Sequence, residues 1–148
     1  MGDLPDWIRG LDLSPHPEGG WFRETWRSDL CLGDSVLPPE YVGPRSAGTA
    51  ILFVLMGGQQ SAWHTVRSAE LWLYHRGSPL VLEYGPEIGS ATTYLLGSDV
   101  LAGQHPQRVV PPGYWQRAHP LDSEPTLVSC IVVPGFDFAD FTMEAATD

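Results

Sequence analysis

The sequence predicts an all-β domain, an antiparallel sandwich or small barrel, and three observations carry that expectation. The 16 Gly and 14 Pro of this 148-residue chain are scattered as single breaks instead of being pooled in a linker. The segments between them are rich in β-branched and aromatic residues, which fit a pleated, half-buried surface. No strand–helix–strand rhythm runs through the chain, so a parallel sheet is not expected. At this length residues 1–148 are expected to form one domain with its own core.

Helix is scarce. Leu4, Ile8 and Leu11 recur at helical spacing, which predicts a short amphipathic helix within Asp3–Leu11. Gly19 and Gly20 mark a turn or a close backbone approach, and the first strand, Trp21–Arg27, follows at once. Thr49–Leu55 begins after Gly48 and ends before Gly57. Ser61–Val66 and Glu70–His75 flank a turn at Arg67–Ala69. Leu80–Tyr84 and Thr92–Leu96 are strands bounded by turn residues, and Gln107–Val110 stops at Pro111. Tyr114–Arg117, Thr126–Val133 and Asp140–Met143 complete the set.

Composition excludes several function classes. Eighteen acidic residues against eight Lys and Arg give a net charge of −10, which repels nucleic acid and anionic lipid surfaces. The two cysteines, Cys31 and Cys130, form no CxxC pattern, which fits a reduced, cytoplasmic setting. The opening MGDLPDWIRG has no basic segment leading an apolar run, and no apolar stretch approaches membrane-spanning length. A soluble protein without a membrane partner is expected.

The chemistry concentrates in WHTVRSAELW, Trp63–Trp72. Alternate residues of a strand share a face, so His64 goes with Ala62 and Val66, while Glu70 goes with Trp72 and Tyr74. If the two strands form a hairpin with Val66 opposite Glu70, His64 lies diagonal to Glu70, within reach of a hydrogen bond or a shared ligand. The plainer alternative is a hydrogen-bonded core histidine. In Trp21–Arg27, Trp21, Arg23 and Thr25 face one side and Phe22, Glu24 and Trp26 the other. Arg23 inside a barrel needs either an acid such as Glu18 or an anionic ligand to clamp, and Glu24 has the same two readings on the opposite face. Trp72 is a candidate wall for a stacked ligand or a core residue. Pro134–Phe141, PGFDFADF, suits an edge strand or a subunit contact better than catalysis.

From Gly58 to Gly77 the residues read G-x5-H-x-V-x3-E-x6-G, which resembles the first motif of the cupin superfamily, except that Val66 replaces its second histidine. Pro111, Gly113 and Gln116 echo the second motif, with Gln116 where its histidine stands. HPEGGWFRETWRS, SAWHTVRSAELWLYHRGSPL, VVPPGYWQRA and VPGFDFADF, in that order, are similar to cupin family 5, with Ala69 replacing an Asp usual there.

The resemblance implies a double-stranded β-helix, a jelly-roll barrel of the RmlC-like type, whose mouth holds a small-molecule ligand and which commonly assembles as a homodimer. It also implies a divalent metal as a cofactor held by His64 and Glu70, but two usual ligands are replaced by Val66 and Gln116. Gln116 adds at most a weak oxygen donor, and nothing requires a cofactor. Metal-free relatives resembling sugar epimerases abstract a proton beside a carbonyl with a histidine base oriented by a carboxylate. His64 and Glu70 have that composition, with Tyr74, Tyr84 or Tyr114 as the opposing acid and Tyr74 preferred. An epimerase-like enzyme is the first expectation. A ligand-binding cupin without turnover and a metal-dependent dioxygenase-type cupin are the alternatives.

Overall fold

Alternation along Thr49–Leu55 shows how the chain is layered in the computed structural model, which describes residues 4–144. Ile51, Phe53 and Leu55 turn toward one apolar cluster, Leu52 and Val54 toward another. The second cluster lies under the helix α1 (Asp6–Arg9), which packs Ile8 with Val54 and Leu127. This helix is shorter than the predicted Asp3–Leu11, because Pro5 precedes its first turn and Gly10 closes it. Asp3 lies outside the described residues.

After the helix come β1 (Ser14–Pro15), β2 (Trp21–Arg27), β3 (Cys31–Leu32), β4 (Arg45–Ser46), β5 (Thr49–Leu55), β6 (His64–Val66) and β7 (Ala69–Gly77). They are followed by β8 (Leu80–Gly85), β9 (Thr92–Leu96), β10 (Gln107–Val110), β11 (Trp115–Pro120), β12 (Thr126–Val133) and β13 (Phe141–Met143). One sheet runs β1-β2-β5-β12-β7-β10, a second β13-β6-β11-β8-β9, and β3 pairs with β4. The named strands pair antiparallel, and the result is a double-stranded β-helix. Phe53, Trp72, Val110, Val128 and Cys130 from the larger sheet meet Leu80, Leu82, Leu96 and Ala118 from the smaller one to form the interior core. Among the described residues no helix is long and apolar enough to cross a membrane.

Two local features position the site. The expected hairpin of β6 and β7 does not exist: β6 pairs with β11 and β13 in the smaller sheet, whereas β7 pairs with β10 and β12 in the larger. Arg67 and Ser68 therefore form a corner between sheets. The hydrogen bonds a hairpin would need are taken, since Gly113 N–H donates to the Val66 carbonyl at 2.9 Å and Arg67 N–H to the Asp140 carbonyl at 3.2 Å. The second feature is a bulge in β2 between Glu24 and Trp26. It reverses the strand's parity, so Glu24 and Arg27, three apart, face inward together while Arg23 faces out.

Candidate active site

Glu18 reaches the barrel because the backbone ahead of β2 makes a turn that only glycine allows. Gly19 and Gly20 have φ of 103° and 81°. A Cβ on Gly20 would stand 2.7 Å from the Val54 carbonyl oxygen and 2.9 Å from the Phe53 ring. The turn is closed by His16 N–H on the Gly20 carbonyl, and Ala62 N–H donates to the Glu18 carbonyl at 2.7 Å. That last bond lays Glu18 alongside the segment leading into β6.

His64, at 2% exposure, then donates from Nε2 to Glu18 Oε2 at 2.9 Å and from Nδ1 to the Ala62 carbonyl at 2.9 Å. Both ring nitrogens face oxygen acceptors, so the ring is held as an imidazolium. Burial alone pushes its pKa down, but the Glu18 carboxylate, helped by Glu70 and the Ala62 carbonyl, overcomes this and raises it to about 9. The carboxylate expected to orient His64 was Glu70. Glu18 does so instead.

Glu70 stands on β7, across the barrel from β6. Gln116 lies beside His64 in the β6–β11 register and donates from Nε2 to Glu70 Oε1 at 2.9 Å, spanning the interior. The amide has no freedom to turn over, because the buried Trp72 indole N–H, a donor only, points at Gln116 Oε1 at 2.9 Å. The Cys130 side chain lines the same cavity as Glu70. Burial raises the Glu70 pKa to about 7, with the Glu18 charge adding to it and His64, Gln116 and Cys130 opposing it. Burial raises the Cys130 thiol well above its ordinary value, and Glu70 and Glu18 add to this, so it stays protonated.

Glu18, His64, Glu70 and Cys130 form the floor of a cavity of about 350 Å³. Its walls include Phe22, Ile51, Val66, Val132, Phe138 and Phe141. His16 also lines it, packed edge-on against Phe22 at 4.6 Å between ring centroids. Its Nδ1 accepts from the Glu18 backbone N–H at 3.1 Å, which leaves the proton on Nε2. Burial is the main cause of its lowered pKa, so the ring is a neutral N–H donor. At the rim Arg27 binds both carboxylate oxygens of Glu24, at 2.7 and 2.9 Å, and the Phe136 carbonyl.

Several residues singled out from sequence stand elsewhere. Tyr74 does not line the cavity, since its hydroxyl donates to the Gly77 carbonyl, and Tyr84 and Tyr114 do not line it either. Trp72, at 1% exposure, is a core residue behind Gln116 and offers no stacking wall. Gln116 touches Glu70 and Trp72 and is not part of the lining. Arg23 is exposed, on the face opposite the cavity, so it neither clamps a ligand there nor pairs with Glu18. Glu24 does reach the cavity, already paired with Arg27. Phe136, Asp137, Phe138 and Phe141 line it too, although PGFDFADF suggested only an edge or a contact. His16, Glu18 and Arg27 escaped the sequence reading as lining residues. The signal was there in HPEGG, where the glycine pair demands a close approach.

The donor set does not fit a metal. His64 has no free ring nitrogen, Glu70 is held by Gln116, and Val66 carries no donor. Among the described residues no three His, Cys, Asp or Glu side chains gather in a metal-holding group.

The chain is similar to several known proteins. The family model Cupin_5, described as Cupin superfamily (DUF985), matches residues 5–144. The chain is 30% identical to protein YML079W of Saccharomyces cerevisiae, over 98% of this chain and 77% of that one. Protein SO0799 from Shewanella oneidensis superimposes with a TM-score of 0.82 at 34% identity, over 98% of this chain and 86% of the other. A hypothetical protein from Leishmania major gives a TM-score of 0.82 at 33% identity, over 94% and 85%.

Proposed function

The chain belongs to the Cupin_5 branch of the cupin superfamily, and from that premise we propose that it is a metal-independent isomerase that moves a proton beside a carbonyl group. The observation that carries the reading is the buried cluster Glu18–His64–Glu70 at the cavity floor, in which one carboxyl group, Glu70, titrates at about 7. Burying three ionisable groups in contact with a cavity is costly, and such clusters concentrate where proton transfer is required.

The roles differ from a histidine-base dyad. His64 is the fixed cation, held by Glu18, that lets Glu70 ionise near neutral pH. Glu70 is the base: its carboxylate takes the proton from the carbon next to the substrate carbonyl. The C–H electron pair becomes the enolate double bond, and the carbonyl π pair moves onto oxygen. His16, with Nε2–H free, donates a hydrogen bond to that oxygen. Protonated Glu70 then returns the proton, on the same face, to a carbon further along a conjugated enolate, and the electron pair on oxygen re-forms the carbonyl. Because Tyr74, Tyr84 and Tyr114 do not line the cavity, one base serves one face, which favours a proton shift along the substrate over inversion of a centre by two opposed groups.

The test is exchange of substrate C–H for deuterium in heavy water, followed by proton NMR across a panel of small ketones and aldehydes. Exchange is expected with at least one of them, and Glu70→Gln should lower its rate by roughly 100-fold or more while the fold is retained. No exchange across the panel, or undiminished exchange in folded Glu70→Gln, would overturn the reading.

A further inference from the structure

We propose that the compound this cavity accepts is uncharged and has an apolar body, of aryl or branched-alkyl type, with a single carbonyl oxygen, and is not a phosphorylated or nucleotide-linked sugar. This rests on the proton-transfer reading above and specifies its substrate class.

Charge comes first. Glu18 is offset by His64, Glu24 is bound at both oxygens by Arg27, and Asp137 lies 3.9 Å from the Arg45 guanidinium, which leaves Glu70 as the lining carboxyl group without a cation of its own among the described residues. Among the described lining residues Arg27 and His64 are the groups that carry positive charge, and each already neutralises a carboxylate, Glu24 and Glu18 respectively. An anion entering here would meet net negative potential across a low-dielectric wall, with few donors to replace its lost hydration. A cation would gain from the carboxylates, but it would also lower the pKa of Glu70, and a weaker base abstracts a carbon-bound proton less readily.

Polar satisfaction points the same way. A sugar ring needs a matching set of donors and acceptors, because each hydroxyl buried without a partner costs about 1–3 kcal/mol. Here the polar groups are spent on one another: Glu18 on His64, Gln116 on Glu70 and Trp72, Arg27 on Glu24 and the Phe136 carbonyl. Among the described residues no fully buried side-chain nitrogen or oxygen lacks a partner. Among the described lining residues the uncommitted donors are few: His16 Nε2–H, the Thr49 hydroxyl, whose oxygen already accepts from Phe136 N–H, and Arg27 Nη1 at the rim, which serve a carbonyl oxygen but not the matched set a sugar ring needs. The remaining lining is aromatic or aliphatic, with Phe138 and Phe141 set edge-to-face at 5.9 Å. A volume of about 350 Å³ suits a single-ring compound and is at the small end for ligand sites.

Ligand-observed NMR titration of the full chain distinguishes the classes with four probes: phenylacetone, phenylpyruvate, phenethylammonium and UDP-glucose. Phenylacetone is expected to bind saturably and at least ~10-fold more tightly than each of the three others. Phe138→Ala, a change at a half-exposed rim residue, should weaken phenylacetone binding several-fold without unfolding the protein. Equal or tighter binding of any other probe, no saturable phenylacetone binding, or indifference to Phe138→Ala would overturn the assignment. Deuterium exchange on the same samples separates the two proposals. Phenylacetone that binds while no ketone or aldehyde of the panel exchanges sinks proton transfer and keeps the ligand class, whereas exchange in a sugar or an anion does the reverse.

Discussion

At the scale of single residues, the site depends on which group fixes which. Trp72 lies out of the cavity, yet its indole N–H dictates the amide orientation of Gln116 and through it the donor that Glu70 receives. Gln116 lowers the Glu70 pKa against the effect of burial. Gln116→Leu should therefore raise the midpoint of the pH–rate curve for exchange above 7 by about one unit. Trp72→Phe should move it in the same direction by less, because the amide is then free but still present. An unchanged midpoint in both variants would remove the positioning role. His64 was legible from its motif spacing, but its partner was not. Spacing within a strand reports shared faces and says nothing about a loop forty-six residues upstream, so Glu18 could not be connected to it. Only the need of Gly19 and Gly20 for a close backbone approach hinted that the preceding residues touch the barrel.

Strands and their junctions were better marked. Trp21–Arg27, Thr49–Leu55, Thr92–Leu96, Gln107–Val110 and Thr126–Val133 have the bounds expected of them, because each is a β-rich run cut by Gly or Pro. The two-residue strands β1, β3 and β4 are too short to carry a period. The β2 bulge and the β6–β7 corner were invisible for a related reason: both are set by tertiary hydrogen bonds that leave the local pattern unchanged. Asp140 anchors the corner. Arg45, at 5% exposure, binds both its oxygens at 2.8 and 2.9 Å, Arg67 adds a third contact, and Ser68 meets Tyr41 at 2.8 Å. Asp140→Ala would strand the buried Arg45 charge and release both the corner and the wall carrying Phe138 and Phe141. A loss of roughly 3–5 kcal/mol in urea unfolding is expected, with exchange activity falling too. Stability within ~1 kcal/mol of the parent would show the network to be dispensable.

For the whole molecule, the buried cluster couples stability to pH. The folded pKa of Glu70 is raised from 4.5 to about 7, so the folded state holds its proton more tightly and stability falls as pH rises through that interval. His64 acts in the same sense from 6.5 to about 9. Asp140 works oppositely: Arg45 and Arg67 lower its pKa despite burial, so its contribution is lost as pH falls through the folded value, below 3.8. Thermal midpoints should peak near about pH 5 and decline toward pH 9 by roughly 5 °C or more. Glu70→Gln should flatten the part of that decline below about pH 7. A flat profile in the parent protein would contradict the cluster's protonation.

The corner at Arg67 and Ser68 also sets where the chain tolerates a change of length. Surface loops elsewhere absorb an extra residue at small entropic cost. One added residue here would displace β7 against its neighbours by a single position, turn Glu70 and Trp72 away from the interior and put Ala69 in the place of Glu70. A frame-preserving insertion at this point would thus remove the proton acceptor and the core indole in one step.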